Sequence, residues 1–370
     1  MIIKYLFSHP EGDIPLSAPD EKRPFKISPV KDHPFLTLGD YFKAIEKFIL
    51  KNRDIFDHLP IKCLNICSEK HGAFSHVAKA ELITDKGSFK LAVITALSGK
   101  GRGNLIKEFN IISRLNKNRE SAYLPGTYSI EGSEHRKGDL SETFTMALLE
   151  WFEDYHEWHI SEDQTDGKQK VYLWDQRRGY GYLSEKEGME LFRKASKILA
   201  QYYDLPSGSR IDRWHHAAGD FVVKAVNNMV DVRLTTARDY NPVMDFERGS
   251  RTGSIIALLY YFLELTIKMR LDKEEGTGNV IWIKPDILPF VFAGFFEGLE
   301  DDGSKEHDKT YDLREIISII TSFSKEELER LFQSLLEDLI LLAPDDLSVV
   351  KGNMTKHVDQ VHRLLQKYRE

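Results

Sequence analysis

The sequence predicts an α+β protein whose strand-rich front half holds one helix and whose mainly helical back half is broken by a β-hairpin. Three observations predict it. Short apolar or alternating runs at Cys63–Cys67, Val77–Thr84 and Ser88–Leu97 carry the strand period, with Asp85-Lys86-Gly87 as a hairpin turn. Residues 104–117 switch to the helical period, placing Leu105, Phe109, Ile112 and Leu115 on one side. From residue 185 onward most segments keep that helical period, and strand runs followed by helix runs indicate α+β or a two-lobed chain.

The elements follow in order. Residues 1–36 carry Pro10, Pro15, Pro19, Pro24, Pro29 and Pro34 among many charges, so an extended arm is expected there rather than a packed domain. Residues 38–58 space Tyr41, Phe42, Ile45, Phe48, Ile49 and Ile55 as an amphipathic helix. After the three strands and the 104–117 helix come two further strands, Tyr123–Ile130 and Thr143–Phe152, joined by a polar loop. Residues 153–185 read as a polar crossover. A helix over 185–204 is stopped by Pro206 and Gly208. Val222–Val226 and Val230–Thr236 form a hairpin across Asn227-Asn228. Helices are expected at Ile255–Arg270, Asp286–Leu299, Leu313–Ser322 and Lys325–Leu342, with a helical tail over 351–369. The organisation is therefore 1–58 (arm and helix), 59–152 (small β-rich lobe) and 153–370 (large helical lobe with an inserted hairpin).

Bulk properties narrow the function. The chain has 370 residues, enough for two domains or one large bilobal fold, and 41% apolar with 29% charged residues is globular composition. A net charge of −7 supplies no general attraction to nucleic acid. Cys63 and Cys67 stand in a C-x3-C spacing without a second pair, so they read as small core thiols in a reducing compartment, not zinc ligands. The apolar run at the N-terminus is too short for a signal peptide, and Ile255–Leu265 is broken by Glu264 before it reaches membrane-spanning length. A cytoplasmic protein without a membrane partner is expected.

Two motif regions carry chemistry. His71-Gly72-Ala73-Phe74-Ser75-His76-Val77 resembles the second half of the protein-kinase glycine-rich loop, in which small residues let backbone N–H groups approach phosphate oxygens. Trp214-His215-His216-Ala217-Ala218-Gly219-Asp220 lies between a long helix and a hairpin. It resembles the catalytic loop of the protein-kinase-like and aminoglycoside-phosphotransferase-like families. The resemblance covers residues ~60–250 and implies a bilobal fold binding ATP and Mg²⁺ between a small antiparallel-sheet lobe and a larger, mainly helical lobe. It places Gly72, Phe74 and Ser75 over the nucleotide. It places Glu108 on the helix that pairs with the strand lysine, and Asp220 and Asp239 at the metal, with Asp245 as a second candidate. His215 or His216 stands near the position of the usual base aspartate, and histidine serves as a general base near neutral pH.

The sequence also departs from that pattern. The lysine position falls near Ile94 or Thr95, neither of them cationic. Lys90 lies on the same strand but is displaced, and Lys100 and Arg102 in the following glycine-rich segment are candidate substitutes. The Ser98–Asn104 segment also suits a Rossmann turn or a plain solvated loop. The aromatic stretch Trp151–His159 matches the segment where backbone groups meet an adenine ring, or serves as packing. The implied function is an ATP/Mg²⁺-dependent phosphotransferase acting on an unknown small molecule or protein. The alternatives are a catalytically silent pseudokinase serving as a binding or regulatory module, and an unrelated α+β enzyme using the same histidines.

Overall fold

A computed structural model describes every residue except 10, 29–30, 57–59, 72–74, 118–122, 176–178, 248, 285, 302–312, 339–343 and 370. The chain divides into two compact units. Among the described residues, the first covers 1–117 and 125–153, and the second covers 123–124, 154–175 and 179–369. The architecture is mixed α+β, with a seven-stranded sheet and nine α-helices among the described residues.

The first unit contains β1 (Ile2–Phe7), β2 (Ile14–Pro15), α1 (Ala18–Glu21), β3 (Pro24–Ser28), β4 (Lys31–Thr37) and α2 (Leu38–Lys51). It continues with β5 (Ile61–His71), β6 (His76–Thr84), β7 (Gly87–Ala96), α3 (Gly99–Lys117), β8 (Thr127–Lys137) and β9 (Leu140–Glu150). The sheet order is β2-β1-β5-β6-β7-β9-β8. All its pairings are antiparallel except β1 with β5. Side chains alternate across a strand, so Ala78, Ala80 and Leu82 of β6, Leu91 and Val93 of β7, and Phe144, Met146 and Leu148 of β9 share one core. Tyr41, Phe42, Ile45, Phe48 and Ile49 of α2 close that core. A capping box between Thr37 and Asp40 starts α2 by satisfying its first free N–H groups.

The proline-rich segment is not a free arm. Before its first proline, β1 extends the main sheet beside β5, pairing Ile2 with Cys63 through Phe7 with Ser68. Phe25 of β3 is fully buried in the α2 core. Strand edges tolerate proline because an outward N–H is not needed there. The Ser98–Asn104 segment is neither a Rossmann turn nor a loop. It forms the first turns of α3, with the Gly101 N–H donating to Ser98 Oγ at 3.0 Å and the Arg102 N–H to Ser98 O at 2.8 Å. Each glycine there costs a helix about 1 kcal/mol relative to alanine. Leu105, Ile111 and Ile112 further along α3 are buried and anchor the helix.

The second unit contains β10 (Trp158–Asp163), β11 (Lys168–Leu173), β12 (Gly181–Tyr182), α4 (Glu185–Gln201), β13 (Ser209–Asp212), β14 (Phe221–Val226), β15 (Met229–Leu234) and β16 (Asp239–Pro242). It continues with α5 (Arg251–Lys268), β17 (Leu271–Lys273), β18 (Val280–Trp282), α6 (Leu288–Glu300), α7 (Leu313–Ser322), α8 (Lys325–Asp338) and α9 (Pro344–Arg369). The expected polar crossover holds the three-stranded sheet β10-β11-β12. Trp158 and Ile160 alternate inward with Val171 across a polar turn, a period masked by the surrounding charges. Gly276–Asn279 lies in the connection of the β17–β18 hairpin. The β14–β15 hairpin turns at Asn227-Asn228, both at positive φ (53° and 61°), as a type I′ turn requires.

Helices α4 and α6 approach closely. A Cβ on Gly294 would lie 1.9 Å from the Arg193 carbonyl oxygen, and one on Gly298 would lie 2.4 Å from that of Lys197. Two glycines one turn apart thus let the backbones of the two helices touch. Phe262, Phe292 and Phe295 are fully buried in the same helical body, each stabilising it by roughly 1.5–3 kcal/mol. Among the described residues, no helix is long and apolar enough to cross a membrane.

Candidate functional site

The loop between β13 and β14 carries His215, His216 and Asp220. Its frame is set by two pairings: β13 with β16, which puts Asp212 opposite Asp239, and β14 with β15. The Thr235 N–H after β15 donates to the Asp220 carbonyl at 2.7 Å and fixes the loop against the hairpin. Arg213, between the strand and the loop, adopts φ +58°, a conformation that costs a non-glycine residue about 1 kcal/mol or more.

Asp220 is 1% exposed, and its carboxylate is fully engaged. Arg238 donates to Oδ2 at 2.6 Å and to Oδ1 at 2.5 Å, and the His215 N–H donates to Oδ2 at 2.8 Å. This is bidentate, charge-assisted pairing, the strongest form available to a carboxylate. Arg238 also donates to the Arg213 carbonyl at 2.7 Å. Asp239 is 4% exposed and meets Arg213 Nε at 3.0 Å. Both expected metal ligands therefore face arginine. Asp245 is exposed. Among the described residues, no group of three or more His, Cys, Asp or Glu side chains is arranged to hold a metal ion.

The two histidines differ. His215 is half-buried, and burial pulls its imidazole below the usual value against the opposing influence of Asp346, Asp272 and Asp220. His216 is 1% exposed among aromatic rings: Trp158 at 4.7 Å, Trp214 at 5.4 Å, Phe221 at 5.8 Å and Phe192 at 5.9 Å between centroids. Burial pushes its pKa down to about 3. The Met269 carbonyl favours a ring proton, yet among the described residues neither ring nitrogen reaches hydrogen-bond geometry with a partner. His216 is thus placed as a neutral core residue.

In the first unit, Gly72 and Phe74 lie outside the described residues, and Ser75 is half-buried just before β6. The β6–β7 register pairs Val77 with Ile94 and His76 with Thr95. Thr95 is fully buried beside the Tyr41 hydroxyl, so no cation stands at the expected lysine position. Lys90 lies four residues before Ile94 on β7, roughly 13 Å along the strand. Its ammonium is bound to Glu153 at 2.5 Å and faces Glu81 at 4.0 Å. Lys100 is exposed in the first turn of α3, and Glu108 is half-buried on that helix.

Sequence reasoning missed Arg213 and Arg238, whose partners identify them. The signal was present as arginine directly after Asp212 and directly before Asp239. It also missed Lys79 of β6, which opposes Ala92 and is 8% exposed. Its ammonium meets Glu69 at 2.9 Å, Asp13 at 3.9 Å and the Trp151 ring at 5.5 Å.

No family model matches the chain. No curated protein matches it either. Among solved structures, the chain is similar to a crystal structure of Rad53 residues 1–466 in complex with AMP-PNP, at 15% identity and a TM-score of 0.31. That alignment covers 64% of this chain and 53% of the other, so it spans about half the length of the Rad53 chain.

Proposed function

We propose that this chain is a catalytically silent binding module of protein-kinase-like build. The element order supports that build: four antiparallel strands β5, β6, β7 and β9 with β8 at the edge, one helix between β7 and β8, then α4, the His215–Asp220 loop and the β14–β15 hairpin. The observation that carries the silent reading is the grip of Arg238 on both oxygens of Asp220. A guanidinium held there occupies the lone pairs that Mg²⁺ would need. The buried Thr95 and the half-buried Ile94 at the expected lysine position favour the same reading, because neither neutralises a phosphate.

The rival is an ATP/Mg²⁺-dependent phosphotransferase acting on a small molecule or protein, with Asp220 and Asp239 at the metal and His215 as base. It requires Arg238 and Arg213 to swing away. A thermal-shift titration of the full chain with ATP, with and without Mg²⁺, separates the two. The silent module gives no Mg²⁺-dependent rise in melting temperature. A rise that needs Mg²⁺ and disappears in Asp220→Ala restores the phosphotransferase.

A further inference from the structure

Away from that loop, α4 and the β14–β15 hairpin enclose a cavity of ≈ 210 Å³ lined by Tyr123, Arg193, Lys194, Lys197, Ile198 and Asp231. Three of the six lining residues are cations from successive turns of one helix, against a single carboxylate. Their engagement differs. The Arg193 guanidinium is paired with two carboxylates, with Nε and Nη2 on Glu190 at 2.7 and 2.5 Å and Nη1 on Glu297. Lys197 meets Asp301 at 3.0 Å, and that carboxylate is 59% exposed. Lys194 differs from both: among the described residues its ammonium donates to a neutral group, the Val230 carbonyl, at 2.5 Å.

The one lining carboxylate is compensated. Asp231 accepts from the Tyr155 hydroxyl at 2.5 Å and from Arg233 at 3.2 Å, and the Arg233 guanidinium lies 5.5 Å from the Tyr123 ring centroid. The half-buried Lys194 ammonium thus lines a small cavity, bonded to a carbonyl and, among the described residues, with no carboxylate within ion-pair distance, Glu190 acting on it only from farther away. An ammonium so placed is energetically improved by a bound anion. The platform is also rigid, because the α4 backbone at Arg193 and Lys197 touches Gly294 and Gly298 of α6. A fixed backbone lowers the ordering cost of binding.

We propose that this cavity receives a phosphate group, carried by inorganic phosphate or a small phosphate monoester and held by Lys194 and Lys197. Its volume is below the ~300 Å³ at which pockets for drug-sized ligands begin, which favours a phosphate with few attached carbons over a whole nucleotide. Lysine holds phosphate as a point charge with rotatable donors, which suits a ligand whose oxygens need no fixed fork geometry.

The test titrates the full chain with inorganic phosphate at constant ionic strength, read by calorimetry and melting temperature, with glycerol 2-phosphate as a second probe. Saturable binding is expected, weakened at least tenfold in Lys194→Gln/Lys197→Gln and unchanged in the exposed Lys351→Gln. Similar affinity for both probes assigns the site to the phosphate group itself, and preference for the ester assigns it to a phosphate monoester. Asp231→Asn, which removes the one lining carboxylate among the described residues, tightens phosphate several-fold and provides the readout if the double variant does not fold. No saturable binding, equal binding by the folded double variant, or weaker binding by Asp231→Asn overturns the proposal. Inorganic phosphate needs neither Asp220 nor Mg²⁺, so this result stands apart from the ATP titration.

Discussion

Arg238 holds both carboxylate oxygens of Asp220, at 2.5 and 2.6 Å, where the sequence alone suggests a metal ion. Asp220 is nearly fully buried while the Arg238 side chain is 39% exposed, so the pair is anchored from the aspartate side. Arg238→Ala therefore strands a buried carboxylate. The expected cost is about 2–3 kcal/mol, below the full penalty for breaking a deeply buried pair because water reaches the vacated position. Urea denaturation measures it. The variant should also gain a Mg²⁺-dependent rise in melting temperature that the wild type lacks. A variant as stable as wild type would show that the ion pair contributes nothing.

His216 and His357 make stability fall with acid. Burial pushes both pKa values down to about 3, while the unfolded chain titrates near 6.5. The unfolded state therefore binds more protons between those values, so stability is complete above about pH 6.5. It declines as pH falls, at about 1.4 kcal/mol per pH unit for each histidine, and levels off near pH 3. His216→Phe, placed among four aromatic rings, should lower the slope of stability against pH from 4.5 to 7, read by urea denaturation, by about 1.4 kcal/mol per pH unit. An unchanged slope would assign the acid sensitivity to other groups.

Lys79 tests the buried charge cluster of the first unit. Burial opposes its charge, but Glu69 and Asp13 more than offset this and hold it protonated. Lys79→Met removes the cation and leaves Glu69, 18% exposed, without its ammonium. A loss of about 2–4 kcal/mol is expected, and Lys79→Met/Glu69→Gln should recover most of it, since removing both charges avoids an unpaired one. A double variant as unstable as the single one would trace the loss to packing around Trp151.

Gly294→Ala forces a methyl carbon against the Arg193 carbonyl and should separate α4 from α6. Overpacking of this kind costs about 3 kcal/mol or more when backbone is the obstacle. Gly103→Ala in α3 meets nothing within 4 Å and should stabilise by about 0.5–1 kcal/mol through helix propensity. Thermal denaturation of the two variants in parallel reads both signs. Equal effects would contradict the close helix approach.

Much of the fold was legible because it rests on local periodicity. The β6–β7 hairpin, α4, α5 and the β14–β15 hairpin each carry a period and a turn signal within a short window, and chain order alone gives the α+β class. Elements whose partners are distant in sequence were missed. The N-terminal strand β1 pairs in parallel with β5 some sixty residues later, and the prolines that follow it concealed it. The glycines at the start of α3 argued for a loop, and burial further along the helix overrode their propensity.

The sequence by itself determined the elements that carry their own local period, among them the β6–β7 hairpin, α4, α5 and the β14–β15 hairpin, and that His215, His216, Asp220 and Asp239 lie beside one hairpin. Tertiary structure alone decided what those side chains do. Pairing of β13 with β16 brings Arg213 to Asp239, and the turn after β15 brings Arg238 to Asp220. Aromatic residues from three separate elements enclose His216. Ionic pairing and desolvation depend on neighbours in space, and a carboxylate reads the same in sequence whether it faces water, a metal or a guanidinium.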